Sequence, residues 1–172
     1  MKLFSIRNKY SALGRLMESE RRGLLQYACY RLGSNDDAED AVQDLFVNVQ
    51  QRWSEGNVDV HDLSAYLYRS LANLCVSRLR KSERVRFVPI DQQIAMMETD
   101  EEDHEQEYLR IGQLLESIPD EQAEVIRLRY HGGKRFVEIA AILGLPVTTV
   151  KSRFQYGLEK IRRGMRAPAL QV

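Results

Sequence analysis

No stretch of this 172-residue chain alternates apolar and polar residues over the length of a strand, and Gly and Pro are sparse and mark most of the breaks between segments. Successive side chains of a strand point to opposite faces, so a half-buried sheet needs that alternation. A helix needs apolar residues every three or four positions instead, with Gly and Pro kept near its ends. Only the second pattern is present, and an all-α fold follows.

The breaks give the order of elements. A first helix is predicted over roughly residues 18–32, stopping at Gly33. Ser34 and Asn35 are cap-type residues, and a second helix follows over about 36–53. The segment SEGN (54–57) ends it, and a third helix runs over about 63–82. Val88 and Pro89 close this block. Residues 91–107 then hold eight acids and no Lys or Arg. Such a segment repels itself and has little apolar surface to bury, which predicts a flexible linker; a solvated helix face is the alternative. A second helical block begins near Tyr108, with an amphipathic helix at 109–118. Pro119 suits the first turn of the next helix, which runs to about Tyr130 and ends at HisGlyGly (131–133). The expected architecture is two small helical domains, 1–88 and 109–172, joined by an acidic linker at 89–108.

Composition narrows the function. Formal net charge is zero, but it is segregated: residues 127–166 carry ten Lys or Arg against two acids. No apolar run reaches the length of a membrane span, and the basic N-terminus lacks the apolar core of a secretory signal. A cytoplasmic protein without membrane insertion is expected. Cys29 and Cys75 lack CxxC spacing and read as buried reduced thiols, with a disulfide or metal pair as the alternative. His61, His104 and His131 are dispersed, and no nucleophile, metal or phosphate-loop spacing appears. No enzyme, cofactor or metal site is therefore expected.

The segment EIAAILGLPVTTVKSRFQY (138–156) reads as two short helices joined at Gly144. On a helical wheel Val147, Val150, Phe154, Leu158 and Ile161 fall on one side, with Gly157 among them. That stripe is expected to pack on the preceding helix through Ile139, Ala140, Ile142 or Leu143. Thr148, Thr149, Ser152, Gln155 and Tyr156 fall opposite, flanked by Lys151 and Arg153. Short hydroxyls reach base edges and cations meet phosphates, so this face has what a major-groove helix needs; a merely solvated polar face is the bland alternative.

The run SIPDEQAEVIRLRYHGGKRFVEIAAILGLPVTTVKSRFQYGLEKIRR (117–163) resembles region 4 of sigma-70-type sigma factors, most closely the extracytoplasmic-function (ECF) group. GSNDDAEDAVQDLFVNVQQRW (33–53) resembles region 2 of the same group, and SAYLYRSLANLCVSRLRK (64–81) resembles the promoter helix after it. The order and separation of these segments match the group.

In the second helix Ala38, Val42, Leu45, Phe46, Val49 and Trp53 form the expected buried stripe. Asp37, Asp40 and Asp44 lie opposite, with Gln43 beside them. Acids early in a helix also suit its dipole, so the row alone has a structural reading. The resemblance implies that it docks on core RNA polymerase. In the third helix Leu63, Leu67, Leu71 and Leu74 are expected in the core, while Tyr68 sits beside the opposite face, with the core as its alternative. Tyr66, Arg69, Asn73, Ser77, Arg80 and Arg84 share another face. Cations with an aromatic suit single-stranded DNA, and a solvated basic face is the alternative. The resemblance implies recognition and opening of the minus-10 element there, and binding of the minus-35 element by Thr148, Thr149, Lys151, Ser152, Arg153 and Tyr156. It also implies that the loop at 54–62 helps select a flipped base, with Asn57 and His61 as candidates, although the loop departs from the strict family motif. A monomeric polymerase specificity subunit controlled by an anti-sigma protein is the implied function. The competing reading is a stand-alone helix-turn-helix regulator with an N-terminal sensing or dimerisation domain.

Overall fold

The computed structural model describes the backbone of residues 2–56, 62–81 and 103–166, and the side chains of 12–56, 62–81 and 110–166. The chain divides into two compact units, Met1–Val88 and Pro89–Val172. The described residues form helices and no strand, as the missing alternation requires.

The first unit packs α1 (Lys2–Leu32), α2 (Asn35–Ser54) and α3 (Leu63–Lys81) against one another. The first helix begins far earlier than the predicted start at Glu18. Gly14 interrupts its helical pattern in the sequence, yet Leu13 and Met17 continue the buried stripe of Leu24 and Ala28. That packing overrides the propensity loss of about 1 kcal/mol for a helical glycine. At the other end Gly33, at φ 70°, donates its N–H to the Cys29 carbonyl at 2.7 Å. Ser34 Oγ then accepts from the Asp37 N–H and starts α2. Asp62 caps α3 by accepting from the Ala65 N–H at 2.9 Å, and Ser64 donates to Glu20 at 2.7 Å to tie that end to α1.

The core of this unit joins Leu24, Tyr27 and Ala28 to Val42, Leu45 and Val49 and to Leu67, Tyr68 and Leu71. Tyr68 is wholly buried, edge-on to Tyr27 with ring centroids 6.2 Å apart. Phe46, Trp53, Leu63 and Leu74, all expected inside, are only half-buried. Among the described residues of this unit, these positions lie at the margin of their stripes and keep one side in water. Cys29 and Cys75 are free and buried. Burial, with Glu39 adding to it, pushes the Cys29 thiol up to about 11, so it stays protonated and inert.

The second unit holds α4 (Asp103–Ser117), α5 (Asp120–Tyr130), α6 (Phe136–Leu143) and α7 (Val147–Arg166). The helix α4 starts before Tyr108, so residues 103–108 are helical rather than linker. The rest of the predicted linker lies outside the described residues.

The apolar stripe of α7 does not pack on α6 alone. Ile161 and the partly buried Phe154 and Leu158 join Leu115 of α4, Ile118 of the break after it, and Ala123 and Ile126 of α5. Length decides this: at about 1.5 Å per residue an eight-residue helix spans only the first part of a twenty-residue one. Gly157 marks the crossing of α5 and α7, where a Cβ would stand 2.7 Å from Ile126 Cδ1 and 3.3 Å from Gln122 Cβ.

Arg127 is the largest fully buried side chain, at 1% exposure. Its guanidinium reaches Glu116 at 2.8 Å, Asp120 at 3.0 Å and Glu124 at 3.6 Å, tying the end of α4 to the start of α5. A buried cation is tolerable only with such partners. Arg127→Ala is expected to destabilise this unit by about 2–4 kcal/mol, the lower figures applying because most of the acids stay hydrated. Arg127→Met, which keeps the apolar stem, should lose less; thermal unfolding followed by circular dichroism checks the order.

His131 gives a pH prediction. Burial, with the Arg127 charge nearby, lowers its pKa from 6.5 to about 3. The unfolded chain takes up a proton below pH 6.5 that the folded chain refuses. Its contribution is therefore complete above that pH and is lost as pH falls toward 3. His131→Asn should flatten the fall of melting temperature across this window in an acid titration.

Candidate functional site

In the second unit the helix-turn-helix is fixed at both ends of α6. Glu138 accepts from the Arg135 backbone N–H at 2.7 Å and from its Nε at 3.2 Å. That backbone bond chiefly, with the Arg135 and Lys134 charges, outweighs burial and holds the Glu138 carboxyl below its ordinary range. At the turn, Gly144 takes φ 65°, a left-handed conformation that glycine enters without a Cβ penalty. Its N–H and that of Leu145 both donate to the Ala140 carbonyl, which ends α6 and redirects the chain into α7.

The roll of α7 is set by its buried side. Val150, Gly157 and Ile161 are buried, and the Phe154 ring stacks on Tyr130 at 6.0 Å and meets Phe136 edge-on at 5.1 Å. The Arg129 guanidinium lies over Phe136 at 5.2 Å. Opposite, Thr148, Lys151, Ser152 and Tyr156 are exposed, Tyr156 at 61%. Ser152 donates its hydroxyl to the Thr148 carbonyl at 3.0 Å, which leaves its oxygen lone pairs to accept from outside. Thr149 is half-buried at the edge of this face. So is Arg153, whose Nη2 lies 2.7 Å from Glu121 on α5. Of the six residues expected on this face, four are fully presented, and Arg153 is already engaged.

In the first unit Asp37, Asp40, Gln43 and Asp44 are exposed along one side of α2. Arg69, Asn73, Ser77 and Arg80 are exposed along α3, with Tyr66 half-buried at the head of their row. Arg84, Asn57 and His61 lie outside the described residues. One residue that the pattern reading missed joins the two rows. Arg78 donates to Asp44 Oδ2 at 2.5 Å and to the Asp37 carbonyl at 3.3 Å. Nothing in the periodicity of α3 singles it out, because the pairing needs two helices.

Both units match sigma-factor families: Sigma-70 region 2 over residues 16–85 and Sigma-70, region 4 over residues 114–163. The chain is also 30% identical over 158 residues to the ECF RNA polymerase sigma factor SigW of Bacillus subtilis, covering 80% of this chain and 81% of that protein. The chain belongs to the ECF RNA polymerase sigma factors. As a sigma factor it binds bacterial core RNA polymerase and directs promoter recognition, DNA opening and transcription initiation. It is similarly 29% identical over 157 residues to SigL of Mycobacterium tuberculosis, covering 88% of each. The fold is that of CnrH, solved with the cytosolic domain of CnrY, at a TM-score of 0.68 and 23% identity over 97% of this chain and 96% of that one. RpoE of Bartonella quintana, solved with the anti-sigma factor NepR, matches at 0.64 and 21% over 94% and 98%. A stand-alone regulator would have no need of region 2, and that alternative falls away.

The family match covers the helices that carry the polar rows of both units. It does not bear on single side chains, whose roles rest on the geometry above. No described helix is long and apolar enough to cross a membrane.

Proposed function

We propose that this sigma factor divides its work among three helix faces. Asp37, Asp40, Gln43 and Asp44 on α2 dock on core polymerase. Their negative charge orients the encounter with a basic partner surface. Tyr66, Arg69, Asn73, Ser77 and Arg80 on α3 take the melted minus-10 strand, with cations on phosphates and the ring on a base. Thr148, Thr149, Lys151, Ser152, Arg153 and Tyr156 on α7 read the minus-35 element in the major groove. Residues 1–88 form the polymerase and minus-10 domain, and residues 109–172 the minus-35 domain.

The observation that carries this reading is the exposure of a continuous polar side on α7, held outward by the burial of Val150, Gly157 and Ile161. The chain works without catalytic chemistry of its own, in the cytoplasm, as a monomer until it joins polymerase. Formal neutrality supports dependence on polymerase, because phosphate contacts dominate DNA affinity and no net positive charge drives them here. RpoE is bound by the anti-sigma factor NepR, and a partner of that class is proposed for this chain also.

Co-purification with bacterial core polymerase, followed by transcription from a promoter library, tests the whole reading. Start sites sharing two spaced upstream elements are expected. Asp40→Lys should weaken core binding by about tenfold, as a reversed charge at a complementary interface does. Asp44→Lys also breaks the pair with Arg78, so Asp40 is the cleaner test; titration of labelled sigma with core measures it. Arg153→Ala should lower holoenzyme binding to the promoter by about tenfold without lowering helix content. Footprinting on the upstream element, beside a circular dichroism spectrum, decides that point.

A further inference from the structure

Arg153 differs from the exposed members of the α7 face in being ion-paired to another helix. Thr148, Lys151, Ser152 and Tyr156 are exposed, whereas the Arg153 side chain keeps 27% exposure and turns toward α5. Its Nη2 meets Glu121 Oε2 at 2.7 Å. Glu121 stands in the first turn of α5 and is itself 57% exposed. The neighbouring Gln122 lies against Gly157 at the close crossing of α5 and α7, so the backbone that carries Glu121 is fixed relative to the recognition helix.

We propose that Glu121 is a positioning residue for promoter recognition: it holds the Arg153 guanidinium at the edge of the recognition surface in one orientation. A guanidinium has five N–H donors in a rigid fork, and a carboxylate ion-paired at its Nη2 side leaves its other N–H groups to donate. The long arm has then surrendered its rotamer freedom before DNA arrives, and that loss is not repeated on binding. The carboxylate also cancels the arginine charge. A free arginine at this edge would attract the phosphates of any duplex, whereas a pinned and neutralised one favours only DNA whose acceptors meet the remaining donors. Glu121 thus acts on discrimination rather than on raw affinity.

This inference rests on the reading of Arg153 as a DNA contact, and the test separates the two. Holoenzymes carrying the full-length wild type, Glu121→Gln, Glu121→Ala, Arg153→Ala and the Glu121→Ala/Arg153→Ala pair are titrated with cognate promoter duplex and with duplex whose upstream element is scrambled. The ratio of the two affinities is the readout, and thermal unfolding checks that each variant is folded. Glu121→Ala and Glu121→Gln are expected to reduce the ratio about tenfold, the size of one well-formed arginine contact. Glu121→Ala should also bind the scrambled duplex more tightly. In the Arg153→Ala background, removal of Glu121 should change nothing more. An unchanged ratio in both Glu121 variants, beside a reduced one in Arg153→Ala, overturns the positioning role and leaves the contact intact. A Glu121 effect that persists without Arg153 overturns it too. If Arg153→Ala itself leaves the ratio unchanged, the DNA-contact reading fails and this inference fails with it.

Discussion

Each of the helices α2, α3 and α7 has a single apolar stripe to give to its core, and what it can show to a partner is the remainder of its circumference. On α7 the stripe runs through Val150, Gly157 and Ile161, and its burial against α4 and α5 sets the roll of the helix. Gly157 makes the constraint tight. A Cβ there would displace the end of the Ile126 side chain and crowd Gln122 Cβ by a few tenths of an ångström. A rotation of α7 would carry Thr148, Ser152 and Tyr156 out of line together, because they share one rigid cylinder. The same constraint acts on α2, where burial of Val42, Leu45 and Val49 obliges Asp40 and Asp44 to face outward.

Cations brace this scheme at points where apolar packing gives out. Arg127 lies inside the second unit with three carboxylates about it, and it fastens α4 to α5 across the break at Pro119. Arg78 reaches from α3 to a side chain and a carbonyl of α2. Arg153 reaches from α7 to α5. Arginine suits all three places, because its planar fork satisfies several acceptors in fixed directions while its stem lies on apolar surface. The energetic weight differs. The Arg127 cluster is desolvated on the cation side and its loss is felt in stability. The Arg78 and Arg153 pairs are partly hydrated, so their contribution to stability is small and their value lies in orientation.

Family membership and side-chain roles rest on different grounds here. The two regions and the curated relatives establish a sigma factor. Which atoms touch polymerase or promoter is a matter of exposure, charge and geometry within each unit. Asp44 and Arg153, both proposed to meet an outside partner, each hold an internal one.

Helical content, the helix-turn-helix and the outward rows of α2, α3 and α7 were legible in the sequence. They follow from local rules: period, caps, and the freedom of Gly33 and Gly144 at helix ends. Where a local signal misled, packing had overruled it. Gly14 hid the early start of α1, and the acids at 103–108 concealed the first turns of α4. Phe46, Trp53, Leu63 and Leu74 have core chemistry, but they lie at the margin of their stripes and stay half-buried among the described residues. The ion pairs were beyond reach altogether. Arg127 with Glu116, Arg78 with Asp44, and Arg153 with Glu121 each join separate helices, and helical period says nothing about which residue of one helix faces which of another. The sequence by itself determined which side of each helix faces water, because hydrophobic burial is read residue by residue. Only the tertiary structure decided which charged groups on those sides meet, because a salt bridge depends on the distance between two elements.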